Sequence, residues 1–381
     1  MTTLEDAEAV AEAAGGRRSA LRCALAPWIV ARVLVLVAWL AARVARDQGW
    51  VHDPLARSTI RHGLLSWDGA FYADIAQRGY AALPEPALRF FPLTPLLGRT
   101  VGWTGLGPRT GVVVVANLAA LGAGALLVVL LRREGLAEAT VARSVWLLTL
   151  APSAFVLVFG YAEATFLVLV IATFLFARSR RWWLVVPVGI LAGLSRPSGF
   201  VVAVPIVVEA LRALRDTGAG EKLARLAAVV APFVGTAAYL RWVDDRFGDA
   251  LLPFRVQTRA NLKGAFTDPI TSTADAVRGM VDGHVGTGLH VPWMVVVIAL
   301  IVVAFRRLPL AYGLYAAVTI ASAVTSSNLD SFERYALAAF PVTVALALLL
   351  RPGWQSRVVL ALSATTMTGY ATLAFCHAYV P

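Results

Sequence analysis

The residue types best suited to chemistry lie in one stretch, Ser66-Trp67-Asp68-Gly69-Ala70-Phe71-Tyr72-Ala73-Asp74-Ile75-Ala76-Gln77-Arg78-Gly79-Tyr80, followed by Arg89-Phe90-Phe91-Pro92-Leu93-Thr94-Pro95. At helical spacing Leu64, Trp67, Phe71 and Ile75 share one face, while Asp74 and Arg78 pair at i, i+4 on another. That pattern predicts an amphipathic helix lying on a membrane surface. Asp68 stands near its start, beside the apolar face, where a partly desolvated carboxylate would have a raised pKa and could take a proton as a general base. An aspartate at a helix start can equally act as a cap, and the residue types alone leave both roles open. Asp74 could be a second acid, but its spacing to Arg78 fits a surface ion pair better.

The elements that must position these residues are set by an apolar chain. Of 381 residues 59% are hydrophobic and only 15% charged, with mean hydropathy +0.71, whereas soluble domains carry about a quarter charged residues. A spanning helix needs roughly 20 apolar residues. The chain has about eleven such stretches, near 27–45, 111–131, 141–158, 164–178, 182–199, 200–212, 223–242, 289–305, 309–325, 336–350 and 358–378. The expected fold is an all-α polytopic membrane protein. A net charge of +11 would suggest nucleic acid in a soluble protein, but here the arginines flank apolar segments, which marks topology and not nucleic-acid binding. Residues 1–22 read as a cytosolic tail before an uncleaved anchor, and 23–381 as a single membrane domain. Cys23 and Cys376 fall on opposite sides of an odd number of spans, so no disulfide is expected.

Placing the N-terminus inside makes every inside loop basic, through Arg17, Arg18 and Arg22, Arg132 and Arg133, Arg178 to Arg181, Arg212 to Arg225, Arg306 and Arg307, and Arg351 and Arg357. The loops 46–110 and 243–288 then lie outside, with Asp47, Asp53, Asp68, Asp74, Asp244, Asp245, Asp249, Asp268, Asp330, Glu333 and all five histidines. Transporters place polar groups at the bilayer midplane. The spans here are nearly free of acids, which argues against an ion-coupled carrier. Arg32, five residues into the first span, reads as a snorkelling interfacial side chain.

Trp67-Asp68, Ile75-Ala76, Gly79-Tyr80 and Phe90-Phe91-Pro92, in this order and spacing, resemble the PIG-V-like mannosyltransferases of the GT-C glycosyltransferase superfamily. The resemblance continues through Ala151-Pro152-Ser153, Gly160-Tyr161-Ala162-Glu163 and Ser195-Arg196-Pro197-Ser198-Gly199, with Ser331-Phe332-Glu333-Arg334-Tyr335 further on. Pro197 and Ser198 replace the family's usual Ser-Asn, and Ala162 replaces Ser. The resemblance implies a GT-C-like bundle with a catalytic first outer loop and a polyprenyl-phosphate-mannose donor. It also implies inverting transfer with a loop carboxylate as base, which matches Asp68.

Transfer from a lipid phosphate also needs cations for the leaving phosphate, and arginine makes planar bidentate contacts to phosphate. Arg196 interrupts an apolar run where a helix should end, and is either that cation or an interfacial snorkeler. Arg89 and Arg334 are weaker candidates, since a local Glu333–Arg334 pair would occupy the latter. Glu163 could bind a sugar hydroxyl or support Arg196, or sit in a solvated turn. Trp67 and Tyr335 complete the substrate-binding positions. The histidines show no ligand spacing, so neither a protein-built metal site nor a cofactor is expected.

Together with the topology, the resemblance implies a multi-pass GT-C glycosyltransferase that moves mannose to an acceptor at the extracytoplasmic membrane face. The bias toward Ala, Arg and Val is that of a high-GC bacterial genome, where the acceptor would be a lipid-linked glycan, a lipoglycan or a protein. A lipid or glycan flippase, or a GT-C enzyme for another polyprenyl-linked sugar, are the competing readings. The topology is testable by cysteine substitution. A cysteine at position 68 should react with an impermeant maleimide in intact cells, whereas one at Arg133 should react only after the inner face is opened. Reversal of the two overturns the orientation.

Overall fold

A computed structural model describes residues 4–381 except 260–263, 265–266, 282–289, 326–328, 330–331 and 380–381. Asp330 and Ser331 lie outside the described residues, as do His284 and parts of the 243–288 loop. The described chain is helical and contains no strand. In order the helices are α1 (Leu4–Asp47), α2 (Pro54–His62), α3 (Asp68–Arg78), α4 (Leu93–Val101), α5 (Pro108–Arg133), α6 (Glu138–Leu150) and α7 (Ala162–Arg178). After them come α8 (Trp182–Ser195), α9 (Ala203–Leu211), α10 (Ala219–Phe247), α11 (Leu252–Gln257) and α12 (Pro269–Val281). The last are α13 (His290–Arg307), α14 (Leu310–Ala323), α15 (Phe332–Ala338), α16 (Pro341–Leu349) and α17 (Trp354–Phe375).

Among the described residues five helices are long and apolar enough to cross a membrane: Arg18–Asp47 of α1, then α5, α10, α13 and α17. The pair α15 and α16, bent by 79°, makes a sixth if counted as one span. The remaining apolar stretches form shorter helices, two of which end at a proline. The residue before a proline is driven out of the helical region. Ala151, before Pro152, is extended at φ −52°, ψ 152° and ends α6. Arg196, before Pro197, is extended at φ −153°, ψ 156° and ends α8. The second break turns the chain at the residue that carries a charge.

Most of α7 is buried, from Ala162, Glu163, Ala164, Thr165, Phe166 and Leu167 to Ala177, so it forms the centre of the bundle. Beside it, α8 and α10 cross with their backbones in contact. A Cβ added at Gly193 would lie 2.0 Å from the Pro232 carbonyl oxygen, and one at Gly235 2.0 Å from that of Ile190. Gly189 and Gly193, four residues apart, supply the small-residue face that lets membrane helices approach this closely.

Two expectations need correction. The amphipathic helix does not run through Leu64 and Trp67. Gly63–Leu65 is a 3₁₀ turn, Trp67 has a left-handed φ of 56°, and α3 begins at Asp68. Tertiary contacts to Trp67 override the local periodicity. The apolar side of α3 packs inward, with Tyr72, Ile75 and Ala76 against Phe90, Val112 and Ala162. Arg32 does not snorkel. Its Nε donates to Asn117 Oδ1 at 2.9 Å, its Nη1 to the Trp28 carbonyl at 3.1 Å and its Nη2 to the Leu157 carbonyl at 3.3 Å. Asn117 in turn donates to the Val113 and Val158 carbonyls. Partners inside the bundle satisfy the guanidinium where it stands, so it need not reach the interface.

The α8–α10 crossing generates a stability prediction. Gly193→Ala forces the backbones apart and should cost about 1–3 kcal/mol as overpacking. Gly369→Ala, in open space on α17, should be neutral or stabilising because Ala is the better helix former. Thermal melts of the purified protein should separate the two, and equal melting temperatures would refute the close crossing.

Candidate active site

Five separate segments bring charge to one place. The start of α3 contributes Asp68, the 3₁₀ turn Glu85–Arg89 contributes Arg89, and the start of α7 contributes Glu163. The proline-broken end of α8 contributes Arg196, and the first turn of α15 contributes Arg334. Their side chains form an alternating chain. Arg89 Nη2 lies 3.7 Å from Asp68 Oδ1, and Arg334 Nη1 lies 2.7 Å from Asp68 Oδ2 and 3.5 Å from Glu163 Oε1. Arg196 Nη2 completes it, 3.3 Å from the same Glu163 oxygen. Among the described residues of the cluster, three arginines face two carboxylates.

Burial makes this arrangement consequential. Glu163, Arg196 and Arg334 are buried, while the Asp68 side chain remains 25% exposed. Asp68 is therefore the carboxylate open to a substrate. The Nε of Arg89 and the Nη1 of Arg196 are buried without a hydrogen-bond partner among the described residues. A buried unsatisfied donor costs about 1–3 kcal/mol, so each marks a place where an acceptor would be stabilising. The guanidiniums also lie over rings, Arg89 over Phe90 at 4.6 Å, Arg196 over Tyr335 at 5.5 Å and Arg334 over Tyr161 at 5.5 Å.

The supports of the cluster come from far along the chain. Trp67 holds its left-handed backbone because its indole N–H donates to the Ala374 carbonyl at 3.0 Å and its ring stacks on His377, centroids 4.4 Å apart. His377 Nδ1 lies 3.0 Å from Asp53 Oδ2. The other Asp53 carboxylate oxygen caps α2 through the Leu55 N–H, at 2.8 Å. Asp68 thus enters α3 from a residue clamped by the end of α17. At the other end of α3, Arg99 donates to the Ala76 and Ile75 carbonyls at 2.6 and 3.2 Å, as a cation at a helix C-terminus should. Asp74 accepts from both Arg78 and Arg109, at 2.9 and 2.5 Å. The Arg89 segment is tied to α10 by Tyr239, whose hydroxyl donates to the Leu88 carbonyl at 2.7 Å.

Of the candidates named from the sequence, Asp68, Arg89, Glu163, Arg196 and Arg334 form the charged chain and Tyr335 lies against it, whereas Asp74 pairs with Arg78 and Arg109. Trp67 adjoins Asp68, with its indole N–H committed to backbone. Asp68 is the first residue of α3, with no side-chain cap bond at that terminus, so its carboxylate serves the arginines. Glu333 does not pair with Arg334. Its carboxylate meets His290 Nδ1 at 2.8 Å and the Tyr379 hydroxyl at 2.9 Å, which leaves Arg334 for Asp68. Glu163 is not in a solvated turn.

Two tyrosines escaped the sequence reading. The Tyr161 hydroxyl accepts the Asp68 backbone N–H at 3.3 Å. Tyr72, at i, i+4 from Asp68, shares its helix face, a spacing that could have identified it. Burial, reinforced by the Glu163 and Asp68 carboxylates, pushes its phenol up, so it remains an O–H donor.

The charge environment reverses one expectation about Asp68. Burial raises its pKa, but Arg334 and Arg89, with a hydrogen bond from Arg334 and a contribution from Arg196, outweigh burial, and the carboxyl is held below the ordinary 3.8. The expected increase rested on the apolar face of α3 and could not include arginines from other segments.

No protein-family model matches the chain, and no curated protein matches it. Among solved structures it is similar to the crystal structure of ArnT from Cupriavidus metallidurans bound to undecaprenyl phosphate. The two share 16% sequence identity, with 92% of this chain and 76% of that one covered and a TM-score of 0.49.

A depressed carboxyl pKa stabilises the fold above its unfolded value, and that stability is lost only as pH falls through the folded value. The difference in melting temperature between wild type and Asp68→Asn should therefore stay constant from about pH 8 to about pH 5. It should narrow only below the ordinary 3.8. A change centred well above the ordinary 3.8, with the wild type gaining stability relative to Asp68→Asn as pH falls, would show that burial, not the arginines, governs Asp68.

Proposed function

We propose that this chain is a GT-C glycosyltransferase that moves a sugar, most specifically mannose, from a polyprenyl-phosphate donor to an acceptor hydroxyl with inversion. The observation that carries the reading is the alternating chain Arg89–Asp68–Arg334–Glu163–Arg196, in which Arg89 Nε and Arg196 Nη1 are buried donors without a hydrogen-bond partner among the described residues. A leaving phosphate is an anion that arginines of this kind stabilise. The polyprenyl donor and the mannose rest on the motif resemblance of residues 67–92, 151–163 and 195–199. The extracytoplasmic location rests on the distribution of arginines between loops.

In this mechanism the phosphate takes the free Nε of Arg89 and the free Nη1 of Arg196. The acceptor oxygen attacks the anomeric carbon from the opposite side and passes its proton to Asp68. The anomeric C–O bond breaks, and its electron pair leaves on the phosphate, where the arginines stabilise it. Because Asp68 titrates low, it is ionised before substrate arrives and never waits for deprotonation. A low pKa also makes it a weak base when paired. Phosphate that draws Arg89 away would raise its basicity at the moment of transfer. Glu163 holds Arg196 and Arg334 in place.

Asp68→Asn keeps size and hydrogen bonding but cannot accept a proton. Turnover of radiolabelled polyprenyl-phosphate mannose should fall by about 10² to 10⁴ while donor binding persists. Azide, a nucleophile with no proton to lose, should restore sugar transfer to itself in this variant. A stable variant that keeps more than about a tenth of normal turnover, or one that azide cannot rescue, removes the base role and leaves Asp68 as an anchor for Arg334. Turnover of another polyprenyl-linked sugar in preference to mannose would correct the donor alone.

A further inference from the structure

The α5, α7 and α8 helices each have their other end far from this site, at Arg133, Arg178 and Trp182. With a rise of about 1.5 Å per residue, α7 separates Glu163 from Arg178 by roughly 20 Å or more. At that distant end is a cavity of about 520 Å³, lined in part by Arg133, Arg178, Arg180, Arg212 and Arg225 together with Glu134 and Glu209. Its volume lies in the range of small-ligand sites.

The charges inside it do not balance. Arg178 makes a bidentate pair with Glu134, 2.7 Å for each bond, and reaches Glu209 at 3.4 Å. Arg225 and Arg180 share Glu221, at 2.7 and 2.9 Å. Arg212 lies 3.2 Å from Glu209, and Arg133 makes no ion pair among the described residues. Five arginines thus meet three glutamates, which leaves two positive charges. Topological signalling needs basic residues only on an exposed loop. It does not explain why Glu134, Glu209 and Arg225 are buried beneath the exposed arginines. Those buried pairs fix the floor of a site.

The backbone is also shaped here. Four described residues other than glycine have left-handed φ, and two of them, Arg180 at 55° and Ala213 at 48°, belong to this cavity. The other two, Trp67 and His377, support the candidate active site. Strain of this kind persists where the surroundings impose a particular local geometry. Exposed Leu211, Leu214 and Trp183 flank the cavity-lining residues in sequence, the residue types that face acyl chains and the headgroup layer.

We propose that this cavity binds a phosphate-bearing anion, and that its source is the headgroup of an anionic phospholipid, as basic pockets between membrane helices do. The two uncompensated arginine charges receive the phosphate oxygens, and the flanking apolar side chains meet the acyl chains. The inference does not depend on sugar transfer.

Purified protein in phosphatidylcholine nanodiscs should melt at least about 3 °C higher when phosphatidylglycerol is included, since a ligand of the folded state stabilises it. The double variant Arg133→Gln/Arg212→Gln should lose most of that rise. Arg351→Gln/Arg357→Gln, which alters exposed arginines outside the cavity, should keep it. A rise produced instead by inorganic phosphate in phosphatidylcholine discs, and lost in the cavity variant, upholds the phosphate chemistry and moves the source to solution. No rise with either anion, or equal losses in both double variants, overturns the proposal.

Discussion

The structure depends on an unfavourable fact of electrostatics: a guanidinium or carboxylate taken out of water must find an opposite charge. Among the described residues Asp68, Glu163, Arg89, Arg196 and Arg334 meet that demand by joining one another. None of the five segments that carry them has an adequate partner of its own. Removing one member of such a buried pair typically costs about 3–5 kcal/mol, so the ends of α3, α7, α8 and α15 are held together by the charges they carry. The site is thereby both a functional candidate and a tertiary staple.

The rest of the bundle can be understood as what permits these ends to converge. Pro197 ends α8 at the residue whose guanidinium is needed, and the glycine crossing of α8 with α10 fixes where that end lies. The bend of 79° between α15 and α16 goes with a short α15 whose first turn faces Asp68 and Glu163. Trp67, bound to the carbonyl of Ala374 and stacked on His377, fixes the start of α3. Helices that were long, straight and unbroken would place their charges at separate points of the membrane surface. The short elements are the geometric condition for a shared site.

Charge is asymmetric along the bundle axis in kind as well as number. At one end arginines and carboxylates alternate around a partly exposed aspartate. At the other, arginines exceed glutamates around an open cavity. The shared helices α5, α7 and α8 fix the relation between these ends.

From the sequence alone came the all-helical class, the apolar stretches, the importance of the segment from Trp67 to Pro92, and Glu163, Arg196 and Arg334 as candidates. Those features are written in local composition, in helical spacing, and in charges that interrupt apolar runs. Tyr72 was also within reach, four residues beyond Asp68. What the sequence could not contain was the identity of each charge's partner. The Asp68–Arg334 pair spans 266 positions and the Trp67–Ala374 bond 307, and no local pattern encodes such a meeting. The tertiary structure therefore decided that Asp68 has a lowered and not a raised pKa, that Glu333 turns to His290 and not to Arg334, and that Arg32 stays inside. It also decided that the predicted amphipathic helix breaks at Trp67, because bonds made by that side chain to the far end of the chain outweigh the preference of its neighbours for continued helix.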